Sequence, residues 1–244
     1  MSRRKLIAAL ILAAIGIAAA TSLGLWQTRR GDLKLALQAQ TDAAERASVV
    51  EIMPSLNAIA DIAAALPRKV RVSGVFNAAG SIYLDNRSLG GVAGFYVLTP
   101  LVLGADLPAV LVDRGWQARN MQDQTHITVA PPPSGRIIVE GLAVARPSTL
   151  LELGSTTEQR VPGMWQNLDY SAYEVAAGVR VARFVIRQAQ LQNGSVSVDG
   201  LRREWPRLGS GVERHRGYAF QWYALATLIA VLALYFGWKS WRLR

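Results

Sequence analysis

The sequence contains no cysteine. That excludes disulfides, thiolate catalysis, cysteine-ligated zinc and covalent haem attachment through Cys-x-x-Cys-His. A domain without disulfides must be held by its core. Histidine is almost as scarce: His126 and His215 are the only two. A Ser-His-Asp triad would have to use one of them, and no His-x-x-x-His pair exists to bind zinc. The chain also lacks a Gly-x-Ser-x-Gly elbow and a Gly-x-x-x-x-Gly-Lys phosphate loop. Its carboxylates are scattered, and nothing in the sequence pairs any two. The reading is of a protein that is not an enzyme.

Charge is missing from two long stretches. One runs from Leu6 to Thr28, between Lys5 and Arg29, and the other from Gly217 to Trp238, between Arg216 and Lys239. Roughly 20 apolar residues at about 1.5 Å per residue cross about 30 Å of hydrocarbon, and both stretches meet that length. A cleaved signal peptide competes for the first, with a basic start and the small-residue run Ala18-Ala19-Ala20. The apolar part exceeds what a signal needs and runs directly into Trp26, a residue suited to the membrane interface, which favours a retained anchor. The second stretch has Tyr218, Trp222 and Tyr223 at one end and Tyr235, Trp238 and Trp241 at the other, an aromatic belt at each interface.

Two spans place both termini on one side. The tails, 1–5 and 239–244, carry Arg3, Arg4, Lys5, Lys239, Arg242 and Arg244 and no acid. Short basic tails favour the cytoplasm, which puts residues 29–216 outside. Six residues beyond the second span are too few for a sensor's output domain.

The net charge of +10 is unevenly spread. Besides the tails, Arg29, Arg30 and Lys34 follow the first span, and Arg202, Arg203, Arg207, Arg214 and Arg216 precede the second. The central domain is close to neutral. A nucleic-acid binder would carry its basic face on the folded domain, so no nucleic-acid partner is expected. Charge gathered at the membrane suits lipid headgroups of the bilayer or an acidic ligand at its surface.

Between the spans, residues from about Leu33 to Arg46 read as a continuation of the first helix. Pro54 to Leu66 reads as a second helix with Leu56, Ile59, Ile62 and Ala63 on one side, stopped by Pro67. The period then changes to two. Strands are predicted at Val70–Val75, Ile82–Leu84, Phe95–Val102, Ala109–Asp113, Ile127–Val129, Ile137–Val144, Val181–Arg187 and Ser195–Val198. Turn signals at Asn77–Gly80, Gly90-Gly91, Gly104–Asp106 and Pro131–Gly135 separate them. A short helix is predicted at Tyr170–Ala177. The fold class is membrane-anchored α+β, with two transmembrane helices flanking one mainly antiparallel β domain, a sheet or barrel.

His126 reads as an exposed histidine at a strand edge or turn. His215 is more informative, because it stands at the mouth of the second span. Tyr218, Trp222 and Ala226 follow at i+3, i+7 and i+11 and share a helical face. Arg214 and Arg216 adjoin it, and the end of the first span, Trp26 to Arg30, lies at the same depth. An imidazole, aromatic faces and guanidiniums together suit a flat apolar ring bearing carboxylates, which describes haem: nitrogen to iron, aromatics on the macrocycle, arginine on the propionates. The competing reading is an ordinary aromatic belt with snorkelling arginines and an incidental histidine.

Several segments resemble one family. Leu23-Gly24-Leu25-Trp26-Gln27-Thr28-Arg29-Arg30 with Leu33-Lys34 resembles the opening signature of the surfeit locus protein family, the cytochrome c oxidase assembly factors. That signature reads Leu-Gly-x-Trp-Gln-x-x-Arg-x-x-Trp-Lys, and Leu33 stands where its second Trp is expected. Asn86-Arg87 with Gly94 to Leu101 is similar to the family's central block. Leu111-Val112-Asp113-Arg114-Gly115-Trp116 is similar to its Val-Asn-Arg-Gly-Trp motif, with Asp113 in place of Asn. Met164 to Asp169 resembles a later block, and His215 with Tyr218-Ala219 and Gln221-Trp222-Tyr223 resembles the signature entering the last helix.

The resemblance implies a role in building haem-copper oxidase, by delivering or stabilising haem a at the oxidase's large subunit. It implies His215 as the haem ligand; the reading of the helical face and depth puts Tyr218, Trp222, Trp26, Arg30, Arg214 and Arg216 around the group. Haem a synthase is a further partner, and the expected place is the bacterial cell membrane, with the domain facing the periplasm. Arg114 and Gly115 read as structural: a glycine allowing a tight turn after a strand, and an arginine bonding nearby carbonyls. The alternative function is a cofactor-free membrane scaffold that binds an oxidase subunit during assembly.

Overall fold

The computed structural model describes residues 3–120, 122, 127–149, 163–189, 199–207 and 211–242. The expected strand at Ser195–Val198 and His126 lie outside the described residues. The chain forms two units. One consists of the two chain ends, Met1–Gln40 and Arg207–Arg244, and the other of Thr41–Pro206.

The first unit is built on two helices, α1 (Arg3–Arg46) and α4 (Val212–Arg242). Both are long and apolar enough to cross a membrane. As the sequence suggests, α1 continues without a break beyond its apolar part to Arg46. Proline is absent throughout, and Ala, Leu and Ile dominate its first half, so nothing interrupts the backbone ladder.

The second unit is an α+β domain with β1 (Val50–Ile52), α2 (Leu56–Ala64), β2 (Arg68–Phe76), β3 (Ile82–Leu89), β4 (Val92–Val102), β5 (Ala109–Ala118), β6 (Arg136–Val144), β7 (Met164–Trp165), α3 (Tyr170–Ala177) and β8 (Val181–Gln188). The strands lie in the order β1-β2-β6-β8-β5-β4-β3-β7. A further pairing, Val75↔Val102 and Phe76↔Leu101, joins β2 to β4 and closes a ring of five strands, β2-β6-β8-β5-β4. One edge of β2 thus serves twice, pairing with β1 through Val70–Val72 and with β4 through Val75-Phe76. Closure requires close backbone approach, and glycine supplies it. A Cβ on Gly74 would stand 2.7 Å from the Val102 carbonyl oxygen, and Gly141 meets the Arg187 carbonyl where β6 pairs with β8.

Alternation sorts the side chains into two large cores, beside a small third cluster of Phe95, Val97 and Leu201. Val70, Val72, Val110, Val112, Val139, Phe184 and Ile186 fill the ring, with Ile59 and Ile62 of α2 packed on them. Leu84, Tyr96, Leu98, Leu111 and Val185 point the other way, against Tyr170 and Tyr173 of α3. Strand β5 lies between both, so Ala109 through Trp116 are all buried. Each such apolar side chain contributes roughly 1.5–3 kcal/mol, which lets the domain stand without disulfides. Capping fixes the helix starts. Ser55 Oγ accepts from the Ala58 N–H, and the Asp169 carboxylate accepts from the Ser171 and Ala172 N–H groups.

Several expectations change. Ile127–Val129 form no strand; the Thr128 carbonyl accepts from the Gln117 side chain, and Ile127 and Val129 pack on Phe95 and Val97 from a loop. Leu56 is 58% exposed, so the apolar side of α2 is narrower than its spacing suggests. Gly115 does not follow a strand; it lies inside β5, where the register with β4 shifts between Val97 and Leu98. Strands β1 and β7, three and two residues long, carry too little pattern to be read in advance. Among the described residues five strand pairings are antiparallel and three, β1–β2, β3–β7 and β5–β8, are parallel.

Candidate functional site

Small residues let α1 and α4 approach each other. Gly16, Ala20 and Gly24 recur every four residues on α1, and Gly31 follows at heptad spacing from Gly24. Facing them, Val212, Ala219 and Ala226 recur every seven residues on α4, and all three are buried. This is the small-residue packing that brings membrane helices close. Gly16 lies against Ile229, Gly24 against the Tyr223 ring, and Gly31 against His215 and Val212, so the helices run antiparallel. A Cβ on Gly24 would stand 2.6 Å from Tyr223 Cε1. The Tyr223 hydroxyl lies 3.3 Å from Thr28 Oγ1, which itself donates to the Gly24 carbonyl.

At the same end of the pair, His215 faces α1 in a half-buried position. Its Nδ1 lies 2.7 Å from Oε1 of Gln27. An amide carbonyl only accepts, so across this contact Nδ1 is the donor. Gly31 lies opposite this residue: a Cβ there would be 3.7 Å from His215 Cβ, an ordinary contact, so the two helices are close at this point.

The other expected site residues are distributed around this pair. Trp222 is half-buried with His215, whereas Trp26 and Tyr218 are each 52% exposed. Arg30, Arg214 and Arg216 are exposed, and Arg216 lies 3.5 Å from Glu213 one turn back. Leu33 is exposed as well. The structure therefore brings His215 and Trp222 onto the packed face and leaves Trp26, Tyr218 and the three arginines outside it. Gln27, not singled out from the sequence as a site residue, is the direct partner of the imidazole. Its signal was a polar amide inside a charge-free apolar stretch, which needs a partner in a dry setting. Between the opposite ends of the helices, Leu6, Ala13, Ile229, Phe236 and Lys239 border an apolar groove of about 560 Å³, far along α4 from His215. Among the described residues no group of three His, Cys, Asp or Glu could hold a metal ion.

In the β domain, the remaining signature residues form a structural network. Asn86, at φ 55°, sits in the bulge between Leu84 and Arg87 on β3, a conformation asparagine tolerates well. Arg87 follows and is buried. Its guanidinium donates to the carbonyls of Asp85, Ser148 and Gln166. Arg114 donates to the Ala130 carbonyl and to Asp199, which also accepts from Arg203. Burial lowers the pKa of both Arg87 and Arg114. Asp113 is buried beside them, and burial pushes its carboxyl up to about 8 against the pull of Arg187 and the Gly115 N–H. Arg187 lies over the Trp205 ring, which stacks on Tyr96.

A membrane-anchored α+β protein, with two candidate spans joined through a polar His–Gln contact and a small barrel between them in sequence, is the class these features define. The model of the SURF1 family matches residues 14–227, and the chain belongs to this family, one of cytochrome oxidase assembly factors. Among curated proteins no match is found.

Proposed function

We propose that this protein assists the assembly of haem-copper cytochrome c oxidase by holding haem a transiently through His215 and passing it to the oxidase's large subunit. The observation that carries this reading is the Gln27–His215 contact, which leaves Nε2 of a half-buried imidazole free of that bond. Neutral imidazole with one nitrogen anchored is the form in which histidine binds iron. Haem needs one axial nitrogen rather than a cluster of ligands, so a lone histidine fits it. Trp222 and the more exposed Trp26 and Tyr218 offer apolar faces, and Arg30, Arg214 and Arg216 offer guanidiniums to propionates. When bound, the haem iron supplies the acceptor for the imidazole lone pair. The chain's part is to hold, orient and release.

The basic tails support a cytoplasmic position for both ends, hence a domain on the periplasmic side of a bacterial cell membrane. We take 6–28 and 217–238 as the spans and 29–216 as the external part. Haem a synthase is the natural source of the cargo, and the bilayer the shared setting.

The test is spectroscopic. The protein is produced in cells that make haem a, purified, and its visible spectrum recorded. Haem a should co-purify with the wild type and be lost from His215→Ala; full occupancy in that variant would sink the assignment. A second reading, a cofactor-free scaffold gripping an oxidase subunit, is favoured by one observation: Trp26, Tyr218 and the arginines present an exposed face rather than enclosing a cavity. Co-purification with the oxidase and no haem signal would support it.

A further inference from the structure

We infer that Gln27 is a positioning residue: its side-chain carbonyl fixes the tautomer and the direction of the His215 ring, so that Nε2 is the nitrogen presented to a haem iron. This role rests on the haem reading above.

Gln27 lies on the packed side of α1, between Gly24 one turn earlier and Gly31 one turn later, both buried. An amide in such surroundings costs free energy unless it finds a partner. Tyr223 already occupies the space over Gly24. Gly31 brings the His215 Cβ close to α1, a Cβ added at Gly31 meeting it at 3.7 Å. Gln27 Oε1 then reaches His215 Nδ1 at 2.7 Å. A free imidazole in water prefers its proton on Nε2, the nitrogen farther from the backbone. Donation from Nδ1 to a fixed carbonyl reverses that preference and turns Nε2 into the acceptor. Ligating histidines generally depend on such a partner on the other ring nitrogen, and its loss costs about 10–100-fold in affinity. Histidine without Gln27 would keep its place on α4 but offer iron the wrong nitrogen for much of the time.

The experiment uses the full chain in detergent, in a His126→Asn background so that His215 is the sole histidine. Ring nitrogens are labelled with ¹⁵N and observed at about pH 9, above the usual histidine range. Wild type should show the proton on Nδ1. Gln27→Leu should shift the ring toward the Nε2–H form, and Gln27→Glu, which keeps an acceptor, should restore Nδ1–H. In parallel, ferric haem is titrated into each protein and the Soret band followed. Gln27→Leu should bind about 10–100-fold more weakly, and Gln27→Glu close to wild type. Retention of the Nδ1–H form in Gln27→Leu would overturn the inference, as would a shifted tautomer with unchanged haem affinity. Equal haem binding by wild type and His215→Ala would overturn the haem reading and this role with it. A tautomer shift in the same Gln27→Leu sample would then locate the failure in the ligand, not in the hydrogen bond.

Discussion

The indole Nε1 of Trp116, on β5, donates a 2.8 Å hydrogen bond to the backbone carbonyl of Arg87, on β3. These strands are not neighbours; β4 lies between them. The bond exists because Gly94, paired with Arg87 on β4, leaves room for the Trp116 ring to cross above it. Three signature segments thus meet in one contact.

Removing either end of this arrangement should weaken the domain. Trp116→Phe keeps the apolar ring but leaves the Arg87 carbonyl unpaired, a loss of about 1–3 kcal/mol. Gly94→Ala places a methyl group in the ring's path and should cost more. Thermal melting of the purified chain followed by circular dichroism checks both, and an unchanged melting temperature in Gly94→Ala would refute the crossing geometry.

Arg87 itself holds three carbonyls from separate segments, at Asp85, Ser148 and Gln166. Methionine has a similar length and no donors. Arg87→Met should destabilise the domain by about 1–3 kcal/mol, because a buried guanidinium loses its bonds to three carbonyls at once. Limited proteolysis should report earlier cleavage around residues 148–167 in this variant than in wild type.

Asp113 makes stability depend on pH. Burial raises its carboxyl to about 8 from an ordinary value of 3.8. Between those values the folded chain holds a proton that the unfolded chain has released. Stability therefore falls as pH rises across that window, the reverse of a carboxylate with a lowered pKa. Asp113→Asn, which restores the residue usual in the family motif, removes the titrating group. Its melting temperature should change less than that of wild type between pH 5 and 8. Parallel curves for the two proteins would show that Asp113 is ionised in the fold at neutral pH.

The helix contact can be trapped covalently. The chain has no cysteine, so a pair introduced as Gly31→Cys and His215→Cys is the only one that can form a disulfide within one molecule. A Cβ added to Gly31 would lie 3.7 Å from His215 Cβ, close to the roughly 3.8 Å separation of bridged cysteines. Mild oxidation should close the bridge in high yield. Adding Gly24→Leu, which collides with the Tyr223 ring, should reduce the yield, as judged by gel mobility after cleavage between the helices. Undiminished bridging would mean that Gly24 does not set the helix spacing.

Much of the fold could be read from residue pattern. Val70–Val75 alternates clearly, because one side of it faces a core; Phe95–Leu101 and Gly141–Val144 are buried on both sides instead of alternating; Tyr170–Ala177 carries its own cap in Asp169. The features that escaped depend on partners distant in sequence. Strand β7 is two residues long and exists because Tyr83 and Leu84 offer it an edge. Gly115 reads like a turn residue, yet its φ of 142° serves a bulge within β5, where Leu201 and Arg202 crowd its Cα. At the helix pair, the depth of His215 followed from counting residues into the span. Which α1 side chain meets it did not, since that depends on the rotation of one helix against the other. The glycine spacing at 16, 24 and 31 encodes that rotation, and its meaning emerges only with the partner helix in place.

The closed ring of β2, β6, β8, β5 and β4 has a consequence for how other proteins can dock. Among the described residues, three strands lie beyond it: β1, three residues, β3, eight residues, and β7, two residues, which covers β3 only at Tyr83 and Leu84. A foreign strand added at β1 or β7 would gain only a couple of backbone bonds. Recognition by extending the sheet at these two short strands is thus a poor route, and side chains on the domain's loops and outer faces are the broader means of telling one neighbour from another.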